Sequence, residues 1–198
     1  MDQILIVSSV LLWVVLFVNL FLTLAIIRRL NSMGEPGQMD KPELLEIGQQ
    51  APSFTAETLN GEKVTLTTYT ERSAAFVFVT PSCEPCREEM PTLELLGPKA
   101  KISGIELVIV STTSLTDTQD FVRELNIKLP VLVAPQRNNP FKADYKVPGT
   151  PFYCLINHSG KVQMTGFFDS DWQALTEEWD DFAEKPSEFR NAQAVSTS

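Results

Sequence analysis

A strand-to-helix boundary that carries two cysteines constrains this chain more than any other feature of its sequence. The apolar run of residues 75–79 (AFVFV) ends in residues 80–82 (TPS) and leads directly into residues 83–86 (CEPC). A polar segment with apolar residues at helical spacing follows. The pattern predicts a strand, a turn and then a helix with both cysteines on its first turn, where a proline is tolerated.

Two cysteines at the start of a helix favour thiol–disulfide exchange. The unpaired N–H groups and the positive end of the helix stabilise a thiolate on Cys83. Once Cys83 has attacked a substrate disulfide, Cys86 is close enough to resolve the mixed disulfide and release the product. An inert structural disulfide is one alternative, but a four-residue loop between strand and helix would crosslink very little chain.

C-x-x-C pairs also occur in zinc sites and at haem-attachment sites. A structural zinc site needs four ligands, and beyond this pair the chain offers only Cys154 and His158, at spacings unlike those of zinc ribbons or fingers. Haem attachment requires a histidine directly after the second cysteine, and Arg87 stands there instead. We therefore expect a protein that works without a metal ion or a cofactor.

Residues 4–27 predict a transmembrane anchor. This 24-residue segment carries no charge and would span about 36 Å as a helix. A cleavable signal peptide is the alternative, but residues 1–3 lack Lys and Arg, the apolar run exceeds the usual length and no A-x-A site follows. The pair Arg28-Arg29 would, by the positive-inside rule alone, place the following domain in the cytoplasm.

The rest of the chain divides into a linker at residues 31–46, a domain at residues 47–184 and a flexible tail at residues 185–198. The linker combines several Gly and Pro residues with few apolar ones. The domain pattern predicts a hairpin around Asn60-Gly61, then strand, helix, strand, helix, strand, hairpin and helix. Strands joined by crossover helices indicate an α/β fold with a mixed central sheet and helices on both faces.

Capping patterns predict where two helices of the domain begin. Ser114 precedes Asp117 by three residues, and Ser170 precedes Gln173 by three. In such pairs the first side chain accepts a hydrogen bond from an unpaired backbone N–H group in the first turn of the helix. We therefore expect Ser114 and Ser170 to open helices.

Four motifs in consistent order resemble the TlpA/ResA family of membrane-anchored bacterial thioredoxin-like proteins. The match covers roughly residues 47 to 184 and implies a thioredoxin-like fold. The anchor without basic N-terminal residues is also similar to the methylamine-utilisation accessory (MauD-like) branch. The motifs are residues 51–54 (APSF), Leu59-Asn60-Gly61 with Val64 and Leu66, residues 83–91 (CEPCREEMP) and residues 147–151 (VPGTP).

The resemblance implies a role for each matched residue of the site. Cys83 matches the exposed attacking cysteine, Cys86 the resolving cysteine, and Glu89 the acidic residue that assists proton movement near the pair. Thr150-Pro151 matches the peptide bond that thioredoxin folds hold in cis, facing the dithiol. A cis X–Pro bond turns the chain sharply and can leave backbone groups free to pair with a substrate peptide.

Two positions depart from the family pattern. Ser82 stands where family members usually have a tryptophan before the first cysteine, so the aromatic that commonly shapes the docking surface is missing. The strand at residues 75–79 lacks the buried acid of thioredoxin, which leaves Glu89 as the nearest candidate. These departures leave the identity of the substrate undetermined, whereas the exchange chemistry is still expected.

Three remaining features are interpreted without a catalytic role. Cys154 lies in the apolar run of residues 152–156 and is expected to be a small buried side chain, with a modulating thiol as the alternative. His158, in an Asn-His-Ser-Gly turn, is expected at the surface. The net charge of −9 counts against a nucleic-acid partner.

The function predicted from the sequence is a single-pass membrane-tethered thiol–disulfide oxidoreductase that acts on proteins with disulfides or cysteines. Redox chemistry of this family belongs outside the cytoplasmic membrane, and we weigh this above the Arg28-Arg29 flank. A membrane partner is expected to donate the electrons.

One alternative function is that of a peroxiredoxin-like peroxidase, because Thr80 and Cys83 match half of P-x-x-x-T-x-x-C, although Phe76 replaces its proline. The other is a non-enzymatic anchored binding module.

The charges around Cys83 predict a reducing pair. Arg87 is the only nearby cation in the sequence, whereas Glu84, Glu88 and Glu89 place three negative charges in the same two turns. Like charge disfavours a thiolate, and the helix dipole opposes this by only about 0.3–1 kcal/mol. We expect a potential closer to the roughly −270 mV of thioredoxin than to the roughly −120 mV of DsbA.

Overall fold

The computed structural model divides the chain into two compact units, which are described here one at a time. The units are Met1–Pro42 and Glu43–Ser198. Most of the predicted linker and the whole predicted tail lie outside the described residues. Those described are 2–32, 43–69 and 72–184.

The first unit contains one long apolar helix. Helix α1 (Asp2–Ser32) covers the whole segment predicted as the anchor. Its stretch Ile6–Leu24 has a mean hydropathy of 2.4. Nineteen residues of helix measure about 28 Å, close to the thickness of the hydrocarbon core of a bilayer. By length and composition, α1 can therefore cross a membrane.

The second unit is built on one mixed seven-stranded sheet with the strand order β2-β1-β5-β4-β3-β6-β7. Strands β3, β4 and β5 are parallel, and every other neighbouring pair is antiparallel. The strands are β1 (Thr55–Thr58), β2 (Lys63–Thr65), β3 (Ser73–Val79), β4 (Ile105–Ser111), β5 (Val131–Val133), β6 (Phe152–Ile156) and β7 (Val162–Phe167). The helices are α2 (Glu84–Ile102), α3 (Leu115–Leu125), α4 (Phe141–Asp144) and α5 (Ser170–Glu184), with a short 3-10 helix at Leu66–Tyr69.

The predicted α/β class, the mixed sheet and the order of elements are confirmed. The predicted hairpin turn joins β1 to β2, and Gly61 adopts a φ of 82° there, a value that glycine reaches without strain. The segment predicted as a short helix or loop between β5 and β6 contains the single turn of α4.

Two hydrophobic cores lie on opposite faces of the sheet. Alternate residues of β3 separate them, because successive side chains of a strand point to opposite faces. Val77 packs with residues of α2, α3 and α5, whereas Phe76 and Phe78 pack with the 3-10 helix and α4. The second face is rich in aromatic rings, and Phe54 stacks on Phe141 with 3.9 Å between ring centroids. The helices therefore occupy both faces, as predicted.

One of the two capping predictions needs correction. Ser114 is the N-cap of α3, since its side chain accepts from the Asp117 N–H at 3.2 Å. Helix α5 does begin at Ser170, but its cap is Asp169, whose carboxylate accepts from the Asp171 N–H at 3.1 Å and from the Trp172 N–H at 3.4 Å. Aspartate and serine are both strong N-caps, so two adjacent candidates left the sequence pattern ambiguous by one residue.

Cys154 is fully buried in β6, on the face of the sheet opposite to that of the predicted resolving cysteine Cys86. Its strand neighbours are Phe76 on β3 and Thr165 on β7. Burial raises the pKa of the Cys154 thiol to about 12, and a hydrogen bond with Thr165 acts in the opposite direction. The thiol is therefore a neutral packing group, as predicted.

Because the pKa of Cys154 is raised, the free energy of unfolding depends on pH in the alkaline range. The unfolded chain releases the Cys154 proton near pH 8.5, whereas the folded chain retains it to about pH 12. The contribution of the protonated thiol to the stability of the fold is therefore complete below pH 8.5 and is lost as the pH rises. We expect the free energy of unfolding to fall by up to about 1.4 kcal/mol per pH unit from this group. Urea unfolding of oxidised residues 43–198 between pH 8.5 and pH 10 should therefore give a shallower decline for Cys154→Ala. Equal slopes would contradict the assignment.

Candidate active site

Cys83 is the N-cap of α2, and a three-residue turn separates it from the end of the central strand β3. Its backbone is extended, with φ −87° and ψ 110°, so it precedes the helix instead of lying in the first turn as the sequence pattern suggested. The Cys86 N–H donates to Cys83 Sγ at 3.3 Å, and the Arg87 N–H donates to the Cys83 carbonyl at 3.2 Å. The sulfur thus occupies the position of a capping oxygen and faces the positive end of the helix.

The two cysteines form a disulfide, and they differ sharply in exposure. Their Cα atoms lie 5.3 Å apart. Cys86 has no exposed surface, because it shares the inner face of α2 with Met90 and Leu93, one and two turns further on. Cys83 is half-buried at the edge of the domain. An incoming thiol or disulfide can therefore reach Cys83 but not Cys86.

The Thr150-Pro151 loop lies against the exposed sulfur. The Thr150 carbonyl oxygen is 3.4 Å from Cys83 Sγ, and the Thr150-Pro151 peptide bond is cis. Strand β6 begins at Phe152 and runs antiparallel to β3, opposite Phe78. The start of β6 therefore meets the end of β3, which brings four of the five predicted site residues to one place.

Glu89, the fifth predicted site residue, lies half-buried on α2. It lines a cleft of about 350 Å³ between α2 and α5 together with Leu96, Phe168 and Trp172. Among the residues that the structure describes, none forms a hydrogen bond or an ion pair with the Glu89 carboxylate. Its role in proton movement stays a prediction.

The cation closest to the disulfide in sequence is used to hold the site together. Arg87 donates to the Pro81 carbonyl at 3.3 Å and forms an ion pair with Glu124 on α3. Its guanidinium also lies 5.8 Å from the centroid of the Phe121 ring. Arg87 thus joins the turn before Cys83 to α2 and α3, and its charge is balanced by Glu124.

Sequence reasoning missed a hydroxyl network beside the disulfide. Thr150 Oγ1 donates to Thr80 Oγ1 at 3.5 Å, and Thr80 and Thr112 share a hydrogen bond of 2.9 Å. Thr112 Oγ1 in turn donates to the Val79 carbonyl at 3.3 Å. The network connects the ends of β3 and β4 to the loop that contacts Cys83. Its members come from three distant parts of the sequence, so no local pattern identifies them.

No group of three or more His, Cys, Asp or Glu side chains among the described residues could hold a metal ion. His158 is exposed in the turn between β6 and β7, and the Asn157 side chain organises this turn by accepting from the Ser159 N–H at 2.9 Å. Strand β6 separates this turn from Pro151. Neither His158 nor the buried Cys154 takes part in the site.

A partly exposed cysteine at a helix N-terminus, a buried partner and a facing cis-proline loop define a thioredoxin-like redox domain. The AhpC/TSA family profile matches residues 47–171. The ResA thiol-disulfide oxidoreductase of Bacillus cereus is 32% identical over 128 residues, 64% of this chain and 72% of ResA. The thioredoxin-like protein YneN of Bacillus subtilis is 32% identical over 123 residues, 60% of this chain and 70% of YneN.

A solved structure points in the same direction. A protein of Chlorobium tepidum, described as the thiol:disulfide interchange protein DsbE, superposes with a TM-score of 0.59 at 29% identity, covering 68% of this chain and 95% of the other. The chain belongs to the AhpC/TSA family and, within it, to the ResA group of thioredoxin-like thiol-disulfide oxidoreductases. The predicted family and enzyme class are confirmed, whereas the methylamine-utilisation branch stays a prediction.

The hydroxyl network allows a direct test of stability. Thr80→Val keeps the size of the side chain but removes both hydrogen bonds, and Thr80→Ser keeps the hydroxyl. We expect Val to lower the free energy of unfolding by about 1 kcal/mol and Ser to lower it by much less. Urea unfolding of the oxidised domain measures both. A loss for Thr80→Val no larger than that for Thr80→Ser would contradict a stabilising role for these hydrogen bonds.

Proposed function

We propose that this protein is a membrane-tethered reductase of protein disulfides outside the cytoplasm, with Cys83 as nucleophile and Cys86 as resolving cysteine. The observation that carries the proposal is the difference in exposure between the partly exposed N-cap residue Cys83 and its fully buried partner. Only a sulfur that substrates can reach can start the exchange, and a buried partner is protected from forming mixed disulfides of its own.

The reduced pair transfers two electrons in two steps. The Cys83 thiolate attacks one sulfur of the substrate disulfide, forming a Cys83–substrate bond while the other substrate sulfur leaves and takes up a proton. Cys86 then loses its proton and attacks Cys83 Sγ, which breaks the mixed disulfide and releases the second substrate thiol. The substrate is reduced to two thiols, and the enzyme is left with its own disulfide.

The surroundings of Cys83 support a reducing direction. A strongly oxidising pair needs a heavily stabilised thiolate. Here the charge of Arg87 is balanced by Glu124, and Glu84 and Glu88 are exposed on the first two turns of α2. The Cys86 N–H and the helix dipole remain as the stabilising groups, and their effect is modest. The disulfide is therefore favoured over the dithiol.

Each turnover leaves an oxidised enzyme that must be reduced again. We infer a dithiol electron donor in the same membrane, whose two thiols would reduce the Cys83–Cys86 disulfide by the same two steps in reverse. Helix α1, which can cross a membrane, would tether the domain beside such a donor. No nucleic-acid partner is expected from an acidic chain of net charge −9.

Mixed disulfides should reveal the two cysteine roles. We expect the full-length Cys86→Ser variant to accumulate covalent complexes with other proteins in cells, because Cys83 can still attack and nothing resolves the product. Cys83→Ser should trap few or none, and Cys154→Ser should behave as the wild type because that thiol is buried. Non-reducing electrophoresis followed by mass spectrometry identifies the trapped partners. Equal trapping by the Cys83 and Cys86 variants would overturn the role assignment.

The side of the membrane can be tested on the same variant. Protein disulfides persist outside the cytoplasm, which favours an extracytoplasmic domain despite the Arg28-Arg29 pair. We expect Cys83 in the Cys86→Ser variant to react with a membrane-impermeant maleimide in intact cells after mild reduction. Labelling that appears only after lysis would place the domain in the cytoplasm.

Peroxide reduction is the competing enzymatic function. The peroxidase signature needs a proline where this chain has Phe76, and Phe76 is fully buried in the middle of β3. The partner of Cys83 lies three residues away, on the first turn of the helix that Cys83 caps, an arrangement suited to rapid exchange with protein disulfides. Hydrogen peroxide should therefore oxidise the reduced protein far more slowly than a protein disulfide does, and the opposite order would favour the peroxidase.

A further inference from the structure

Phe167 is exposed beside the redox site. Among the Phe, Tyr and Trp side chains described between residues 43 and 179, it is the only exposed one, with 44% of its surface accessible. A single exposed apolar side chain is common on protein surfaces. Its position is what gives this ring significance, because it lies against the loop that contacts Cys83 Sγ.

The Phe167 ring adjoins the loop that contacts the reactive sulfur. Phe167 ends β7 and pairs with Phe152, the residue after Pro151, with ring centroids 5.3 Å apart in an edge-to-face arrangement. It also lies over Gly149, where an added Cβ would be 3.5 Å from the ring. Gly149 precedes Thr150, whose carbonyl is 3.4 Å from Cys83 Sγ. One continuous surface therefore runs from the sulfur across the loop to the ring.

The loop between the sulfur and the ring offers free backbone groups. No described residue forms a hydrogen bond with the N–H groups of Gly149 or Thr150, and both residues are partly exposed. Backbone groups without a partner at such an edge can pair with an extended peptide. A peptide paired there would place one neighbour of its cysteine over Phe167.

We propose that Phe167 selects substrates with an apolar side chain next to the reacting cysteine. The inference rests on the proposed reduction of protein disulfides. The occupant is an extended segment of the substrate protein, paired with the Gly149-Thr150 backbone. Its apolar side chain covers the exposed ring, and contact with Phe152 holds that ring in place, so little conformational freedom is lost on binding.

The test uses two homodimeric peptide disulfides that differ only in having Leu or Ser beside the cysteine. The pre-reduced full-length protein in detergent is mixed with each, and the second-order rate constant of its oxidation is measured. Hydroxyethyl disulfide, which has no flanking residues, reports the intrinsic reactivity of Cys83. We expect the wild type to react about tenfold faster with the Leu peptide, equivalent to about 1.4 kcal/mol.

Three variants complete the design. Phe167→Thr, which suits a strand, should lose the preference by slowing only the Leu peptide, and should keep the wild-type rate with hydroxyethyl disulfide. Phe167→Leu should restore most of the preference, because it restores apolar area. Ile102→Ala, which removes another exposed apolar side chain at the far end of α2, should match the wild type.

The outcomes separate the two proposals. A Leu preference that persists in Phe167→Thr, or a wild type without any preference, would overturn the role of Phe167 and leave the reductase intact. A wild type that reacts with hydroxyethyl disulfide but with neither peptide would overturn reduction of peptide disulfides itself, and the role of Phe167 with it. A uniform loss of rate with all three disulfides in Phe167→Thr would show a structural role for the ring and would also overturn the inference.

Discussion

The hydrogen bond from the Cys86 N–H to Cys83 Sγ defines the geometry on which the site depends. It forms because β3 ends just before an N-cap position, where the backbone is still extended and the first helical N–H groups lack partners. The same turn of helix directs Cys86 into the core. One local arrangement thus determines which sulfur is open to substrates, which sulfur is buried in the core, and which charges lie near each of them.

The sheet brings residues from distant parts of the chain to the cysteine pair, which the local arrangement cannot do. Parallel pairing of β3 with β4 and antiparallel pairing of β3 with β6 bring Thr112 and Thr150 to the end of β3, where their hydroxyls meet Thr80. Arg87 fixes the preceding turn from the other side through the Pro81 carbonyl and Glu124. The reactive sulfur therefore lies between a loop held by hydroxyls and a helix held by an ion pair.

Sequence patterns predicted the parts of this structure that depend on short-range spacing. Three features could be predicted because each is encoded within a few residues: the C-x-x-C pair, the Asn60-Gly61 turn and the alternation of strands and helices. The hydroxyl network and the exposed ring of Phe167 were not, since both depend on strand register between distant segments. The α5 cap shifted from Ser170 to Asp169 because two adjacent residues could each fill the role. The role of Glu89 in proton movement remains a prediction from the family resemblance.

The proposed direction of electron flow rests on how little the site stabilises a thiolate. A helix N-terminus and one N–H group favour it, while exposed glutamates on the same two turns oppose it and Arg87 is balanced by Glu124. The reduction potential of the Cys83–Cys86 pair tests this most directly. It is measured by equilibrating the protein with glutathione buffers of known ratio and counting the remaining dithiol. A value near −270 mV is expected, and one above about −180 mV, typical of protein disulfide isomerase, would contradict a reductase.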